Sequence, residues 1–142
     1  MKVLVTGGSG RAGKYVIREL LDNGHSVVNA DVVNGYLEDR NPELSYKKID
    51  FTDYGETVFA TSGCDAIIHL AAIPSPGVIP NQEIFRVNMI STFNVLEAAE
   101  EKGIEKIVLA SSVNALGAGW PATLWGEPPI PPEYFPVDEK HP

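Results

Sequence analysis

The sequence predicts an α/β fold built on a doubly wound parallel sheet, and three observations predict it. Short β-branched apolar runs alternate with segments of helical periodicity along the first 110 residues. Residues 65–70, Asp-Ala-Ile-Ile-His-Leu, are apolar without alternation, as a central parallel strand covered by helices on both faces must be. Glycines 7, 10 and 13 fall between the first such strand and the first helix.

The elements follow in order. Lys2 to Thr6 is a short strand running into the glycines; Val16, Ile17, Leu20 and Leu21 then recur at helical spacing until Gly24. Residues 25–31 carry Val27 and Val28 and form a second strand, and residues 44–50 a third, weaker one. Asp53 with Glu56 three positions on has capping-box spacing and marks the start of a short helix. Residues 65–70 make the fourth strand. Asn81 to Lys102 is the longest helix, with Ile84, Val87, Ser91, Val95 and Ala98 on one face and Gly103 as its stop. Residues 104–110 give a fifth strand that delivers Ser111 and Ser112 at its carboxyl end. Right-handed crossovers between parallel strands complete the doubly wound arrangement.

The character changes after Gly117. Seven of the 11 prolines lie from Pro121 onward, and Pro128-Pro129 and Pro131-Pro132 forbid regular helix or central strand. The expected organisation is a nucleotide-binding domain over residues 1–117 and a proline-rich arm over 118–142. An apolar share of 44% in 142 residues suits one packed core. The net charge of −8, with no run of basic residues, disfavours nucleic acid as a partner. A single cysteine, Cys64, excludes an internal disulfide and a multi-thiolate metal site and fits a reducing cytosol; no metal is expected. No signal peptide or membrane-length apolar run is present, so a soluble, cytoplasmic protein is expected.

Thr6-Gly7-Gly8-Ser9-Gly10-Arg11-Ala12-Gly13 sets glycines at G-x-x-G-x-x-G between a strand and a helix. That arrangement lets the backbone approach a pyrophosphate and points helix N–H groups at it, the Rossmann type of dinucleotide site. Asp31, 18 residues beyond Gly13 at the end of the second strand, is placed to accept hydrogen bonds from an adenosine ribose. A carboxylate there repels a 2′-phosphate, so NAD is favoured over NADP, although Arg11 inside the loop could reach such a phosphate. Gly8 to Lys14 also fits G-x-x-x-x-G-K, the opening of a P-loop. Tyr15 stands where a P-loop needs Ser or Thr for Mg²⁺, which leaves a nucleotidase as a remote alternative.

The glycine loop, Asp31, Asp50-Phe51, His69-Leu70-Ala71-Ala72, Val87-Asn88 and Ala110-Ser111-Ser112 together resemble the extended short-chain dehydrogenase/reductase family, the NAD-dependent epimerases and dehydratases. The resemblance implies a Rossmann sheet of order 3-2-1-4-5, incomplete here, and hydride transfer on a sugar or nucleotide sugar. It implies that Gly7, Gly10, Arg11, Ala12, Gly13 and Asp31 hold the cofactor, that Asp50 and the Phe51 backbone contact adenine, and that Ala71 and Ala72 let it approach closely. Asp50 could equally shape the turn before Asp53. Asn88 is placed near the nicotinamide end by the resemblance, or in solvent by its poor helix propensity. His69 reads as a satisfied core histidine. Ser111 would lie beside the cofactor and Ser112 matches the catalytic serine.

The family's proton-transfer pair, Tyr-x-x-x-Lys, is not found. Four residues beyond Tyr15, Tyr36, Tyr46, Tyr54 and Tyr134 stand Glu19, Arg40, Asp50, Val58 and Asp138. The expectation is a truncation ahead of that motif and of a substrate domain, the alternative being a non-catalytic NAD-binding or sensing module. The long helix pairs with the catalytic helix in the family's dimers, so a homo-oligomer is expected. Trp120, Trp125 and Tyr134 could line a substrate pocket or be aromatics left exposed without a second domain.

Overall fold

The elements run β1 (Lys2–Thr6), α1 (Gly13–Asp22), β2 (Ser26–Asp31), β3 (Leu44–Lys48), α2 (Tyr54–Thr61), β4 (Ala66–His69), α3 (Asn81–Lys102) and β5 (Lys106–Leu109). The computed structural model describes residues 1–33, 41–75, 77–112, 134 and 138–140. The chain divides into two compact units, Met1–Leu109 and Ala110–Pro142. All eight elements belong to the first; the proline-rich arm, with Trp120 and Trp125, falls largely outside the described residues.

The sheet has the expected order β3-β2-β1-β4-β5, and every neighbouring pair is parallel. The register aligns Leu4 with Val28 and Ile67, and Val3 with Val27 and Ala66. Because strand side chains alternate, this sorts the apolar residues into two cores. Leu4, Val28 and Ile67 face one cluster with Phe51, Ala60, Val95 and Ala99 from the α2 and α3 side. Val3, Val5, Val27 and Ala66 face another with Ile17, joined by Val16, Leu20 and Leu21 of α1. Leu4 and Ile67 are fully buried, and burying each such side chain stabilises the fold by about 1.5–3 kcal/mol.

Three strands begin later than the residue pattern predicts, β4 by one residue at Ala66, and β2 and β5 for a shared reason. Gly103 adopts φ +66°, and the Ile104 N–H returns to the Ala99 carbonyl at 2.8 Å to close α3. At the end of α1, Gly24 has φ +75° and the His25 N–H bonds Leu20 O at 3.0 Å. A residue whose N–H completes a helix terminus cannot also start a sheet ladder. The Asp53 carboxylate caps α2 by accepting from Glu56 N at 2.8 Å. The expected box is only half closed, because the Glu56 carboxylate accepts from Asp50 N at 2.6 Å instead. Among the described residues, no helix is long and apolar enough to cross a membrane.

Candidate dinucleotide site

The strand order reverses between β1 and β4, so a crevice opens at the carboxyl ends of these strands, where ligands of doubly wound sheets bind. The glycine loop fills one side of it. Gly7 has φ +66°, its N–H bonds Ala30 O at 2.8 Å, and a Cβ on it would sit 2.8 Å from the backbone of Ala71. A Cβ on Gly13 would meet the Gly8 Cα and carbonyl at 2.5 Å, so α1 can start this close to the loop only without one. Gly8, which the residue pattern did not single out, is buried with Ile17 Cδ1 2.8 Å from its Cβ position; its only signal was the Gly7-Gly8 doublet. Gly10 differs. It is exposed, turned by a hydrogen bond from its N–H to Gly7 O at 3.0 Å, and leads into exposed Arg11 and Ala12.

Ala12 is the N-cap of α1, with no side-chain capping bond and no acidic residue in the first turn. No side chain of the first turn therefore offsets the positive end of the helix. Asp31, half-buried at the end of β2, accepts from Ser9 N at 3.1 Å and Val33 N at 3.3 Å. Asn29, two residues earlier on the same face, donates to Ser9 Oγ at 3.3 Å. Asp31, Asn29 and the glycine loop are thus one hydrogen-bonded unit. Open loop backbone, an uncapped helix end and an adjacent fixed carboxylate are the donor and acceptor set that a dinucleotide's pyrophosphate and ribose require.

Asp50 is exposed, and its Oδ1 accepts from Thr52 N at 2.9 Å and Thr52 Oγ1 at 2.8 Å. The carboxylate shapes the turn ahead of α2. Phe51 is 3% exposed, and its carbonyl accepts from Asn94 Nδ2 at 2.9 Å, a buried α3 contact that spacing alone did not signal. Its ring meets His69 edge-on at 6.4 Å between centroids.

On the other side of the crevice the chain leaves β4 through His69, half-buried Ala71 and exposed Ala72. His69 lies between Thr6 Oγ1, 2.7 Å from Nδ1, and Thr92 Oγ1, 3.2 Å from Nε2. Burial pushes its pKa down to about 4, so the ring is neutral near pH 7. It is the satisfied core histidine the sequence led us to expect. The Asn88 amide is half-buried and held by backbone. Its Oδ1 accepts from Ile73 N at 2.8 Å and its Nδ2 donates to Ile73 O at 3.1 Å, clamping the segment that follows β4. Ser111 and Ser112 are exposed and belong to the second unit. Among the described residues no group of three or more His, Cys, Asp or Glu could hold a metal ion.

Known proteins with this arrangement are numerous. Residues 3–133 match the NAD dependent epimerase/dehydratase family profile. UDP-glucose 4-epimerase of Bacillus subtilis is 32% identical over 100% of this chain and 43% of its own length. Uronate dehydrogenase from Agrobacterium tumefaciens, in a mutant complexed with NAD, superposes with TM-score 0.73 at 30% identity, covering 86% of this chain and 44% of that one. Thermus thermophilus UDP-glucose 4-epimerase in complex with NAD gives TM-score 0.73 at 31% identity, over 92% of this chain and 45% of that one. The chain thus spans less than half the length of these relatives. With the profile match, the parallel 3-2-1-4-5 sheet and the glycine loop at its switch point together, the chain belongs to the NAD-dependent epimerase/dehydratase family.

Proposed function

We propose that this chain is the NAD-binding portion of a dehydrogenase or epimerase acting on a sugar or nucleotide sugar. The observation that carries the reading is the joining of the glycine loop to Asp31 through Ser9 N, at the switch point of the sheet. Bound there, NAD would supply the hydride acceptor. Gly7, Gly10, Arg11, Ala12 and Gly13 frame the pyrophosphate with backbone and the uncapped end of α1. Asp31 accepts from the ribose hydroxyls and repels a 2′-phosphate, selecting NAD over NADP. Asp50 and the Phe51 backbone border the adenine, and Ala71, Ala72 and Asn88 the nicotinamide side; by the family resemblance Ser111 is assigned to cofactor binding and Ser112 to hydrogen bonding the reacting hydroxyl. In this reading residues 1–117 form the NAD-binding domain and residues 118–142 a proline-rich arm.

Within these 142 residues cofactor binding outlasts catalysis. Removing a hydride from an alcohol needs a base for the hydroxyl proton, and a tuned one contributes roughly 10²–10⁴-fold. A serine hydroxyl near pH 7 cannot act alone as that base, and no tyrosine here has a lysine four residues on. The exposed Phe85, Met89, Phe93 and Leu96 of α3 favour self-association of the chain. Calorimetry with NAD and NADP, NADH absorbance with a set of sugars and nucleotide sugars, and light scattering test the three parts. We expect NAD binding, weaker NADP binding, no steady turnover and oligomers. No heat with NAD overturns the cofactor assignment, steady turnover overturns the catalytic one, and a clean monomer overturns the association.

A further inference from the structure

We propose that His69 is a positioning residue: through Thr6 on one side and Thr92 on the other, a one-directional hydrogen-bond relay holds the backbone of Ala71 and Ile73 in the shape the cofactor meets. The inference rests on the NAD reading above and adds residues to which that reading gives no role.

The direction follows from counting donors and lone pairs. Thr6 Oγ1 accepts from Ala71 N at 3.1 Å and shares the Leu70 N–H at 3.2 Å with the Thr6 carbonyl. A hydroxyl has two lone pairs and one hydrogen, so its hydrogen is the group left for His69 Nδ1 at 2.7 Å. Nδ1 is then an acceptor. The neutral ring carries its hydrogen on Nε2, which donates to Thr92 Oγ1 at 3.2 Å. Thr92 passes its own hydrogen to the Asn88 carbonyl at 2.9 Å, and the Asn88 amide clamps both polar groups of Ile73.

One imidazole on β4 therefore orients groups on β1 and α3 that are 63 and 23 residues away in sequence. The opposite tautomer would give Thr6 Oγ1 a third donor and leave Thr92 Oγ1 facing a bare ring nitrogen. Among the described residues no charged side chain joins the relay: the partners of this imidazole are Thr6, Thr92 and the edge-on Phe51 ring. It fixes shape without fixing charge. The neighbouring Gly7, with no room for a Cβ against Ala71, sets how close the two sides of the crevice come. Displacing Ala71 would therefore displace the loop as well.

The test uses the 142-residue chain labelled with ¹⁵N-histidine, with Thr92→Val and Thr92→Ser beside the parent. Long-range ¹H–¹⁵N spectra should show His69 as the Nε2–H tautomer with Nδ1 accepting. Thr92→Val should speed amide exchange at Ala71 and Ile73 and lower NAD affinity roughly three- to tenfold, the loss expected for one positioned hydrogen bond. Thr92→Ser, which keeps the hydroxyl, should restore both. An Nδ1–H tautomer in the parent overturns the relay even if Thr92→Val fails to fold. So does unchanged exchange and NAD affinity in a folded Thr92→Val. A parent that takes up no NAD overturns the cofactor reading, and the relay's purpose with it. A parent that binds NAD, beside a Thr92→Val that binds it equally, overturns the relay alone.

Discussion

The two sides of the crevice are built by opposite means. On the β1–α1 side the site is made by leaving side chains out: Gly7, Gly8 and Gly13 have no space for a Cβ, and α1 begins without a capping side chain. On the β4–α3 side it is made by putting polar side chains in, with His69, Thr92 and Asn88, joined by Thr6 from the end of β1, satisfying one another in a largely buried strip. At Gly7, Gly8 and Gly13 the glycine side tolerates no added atom, whereas the polar side tolerates no lost partner. Substitutions on the two sides should accordingly fail for different reasons, steric on one and electrostatic on the other.

The largest effect should come from Gly13→Val, whose added carbons would meet the Gly8 backbone at the distance where even a Cβ lies at 2.5 Å. Backbone cannot move aside cheaply, so a loss on the order of 3 kcal/mol or more is expected in urea unfolding. A loss under about 1 kcal/mol would break the steric account of this side. Gly10→Ala sharpens the contrast. Its Cβ would lie 3.0 Å from Gly7 O and otherwise in the open, so folding should barely change while NAD binding weakens.

The polar side should answer to pH. His69 has its folded pKa lowered to about 4 from 6.5, so as pH falls the unfolded chain takes up a proton first. The stability it contributes is present above about pH 6.5 and is lost as pH falls toward 4. Between pH 7 and 5 the loss should reach about 2 kcal/mol, at 1.36 kcal/mol per pKa unit. The measure is urea unfolding at both pH values in the parent and in His69→Gln, which cancels the carboxylates common to both. An identical pH dependence in the two proteins would contradict a buried neutral His69.

Asp31→Ala bridges the comparison, because the carboxylate serves both the loop and the proposed ribose contact. Calorimetry should show NAD weakened tenfold or more and NADP much less, at about 1.5–3 kcal/mol per charge-assisted hydrogen bond. Equal NAD affinity in mutant and parent would remove Asp31 from the site. The smallest effect is reserved for a residue remote from both sides. Asp53→Ala loses the α2 cap and should cost about 1 kcal/mol in urea unfolding with NAD affinity unchanged.

The sequence by itself determined the eight elements and the glycine loop, because these rest on local constraints, whereas the strand order came with the family resemblance. Periodicity reports which face is buried, and G-x-x-G-x-x-G followed by an acidic residue reports a turn that only bare backbone can make. Asn81–Lys102 was legible to the residue, being bounded by a proline at one end and a left-handed glycine at the other. Boundaries at residues 25 and 104 were missed by one or two positions, since whether an N–H ends a helix or begins a ladder depends on hydrogen bonds that composition does not record. Only the tertiary structure decided what the polar residues do. Asn88 clamps Ile73, Asn94 holds the Phe51 carbonyl, Glu56 turns to Asp50 N rather than back to its cap, and His69 joins Thr6 to Thr92. Each of these partners lies six or more residues away along the chain, most of them more than a dozen, and a hydrogen bond at that separation leaves no period in the sequence because folding, not spacing, brings its two ends together.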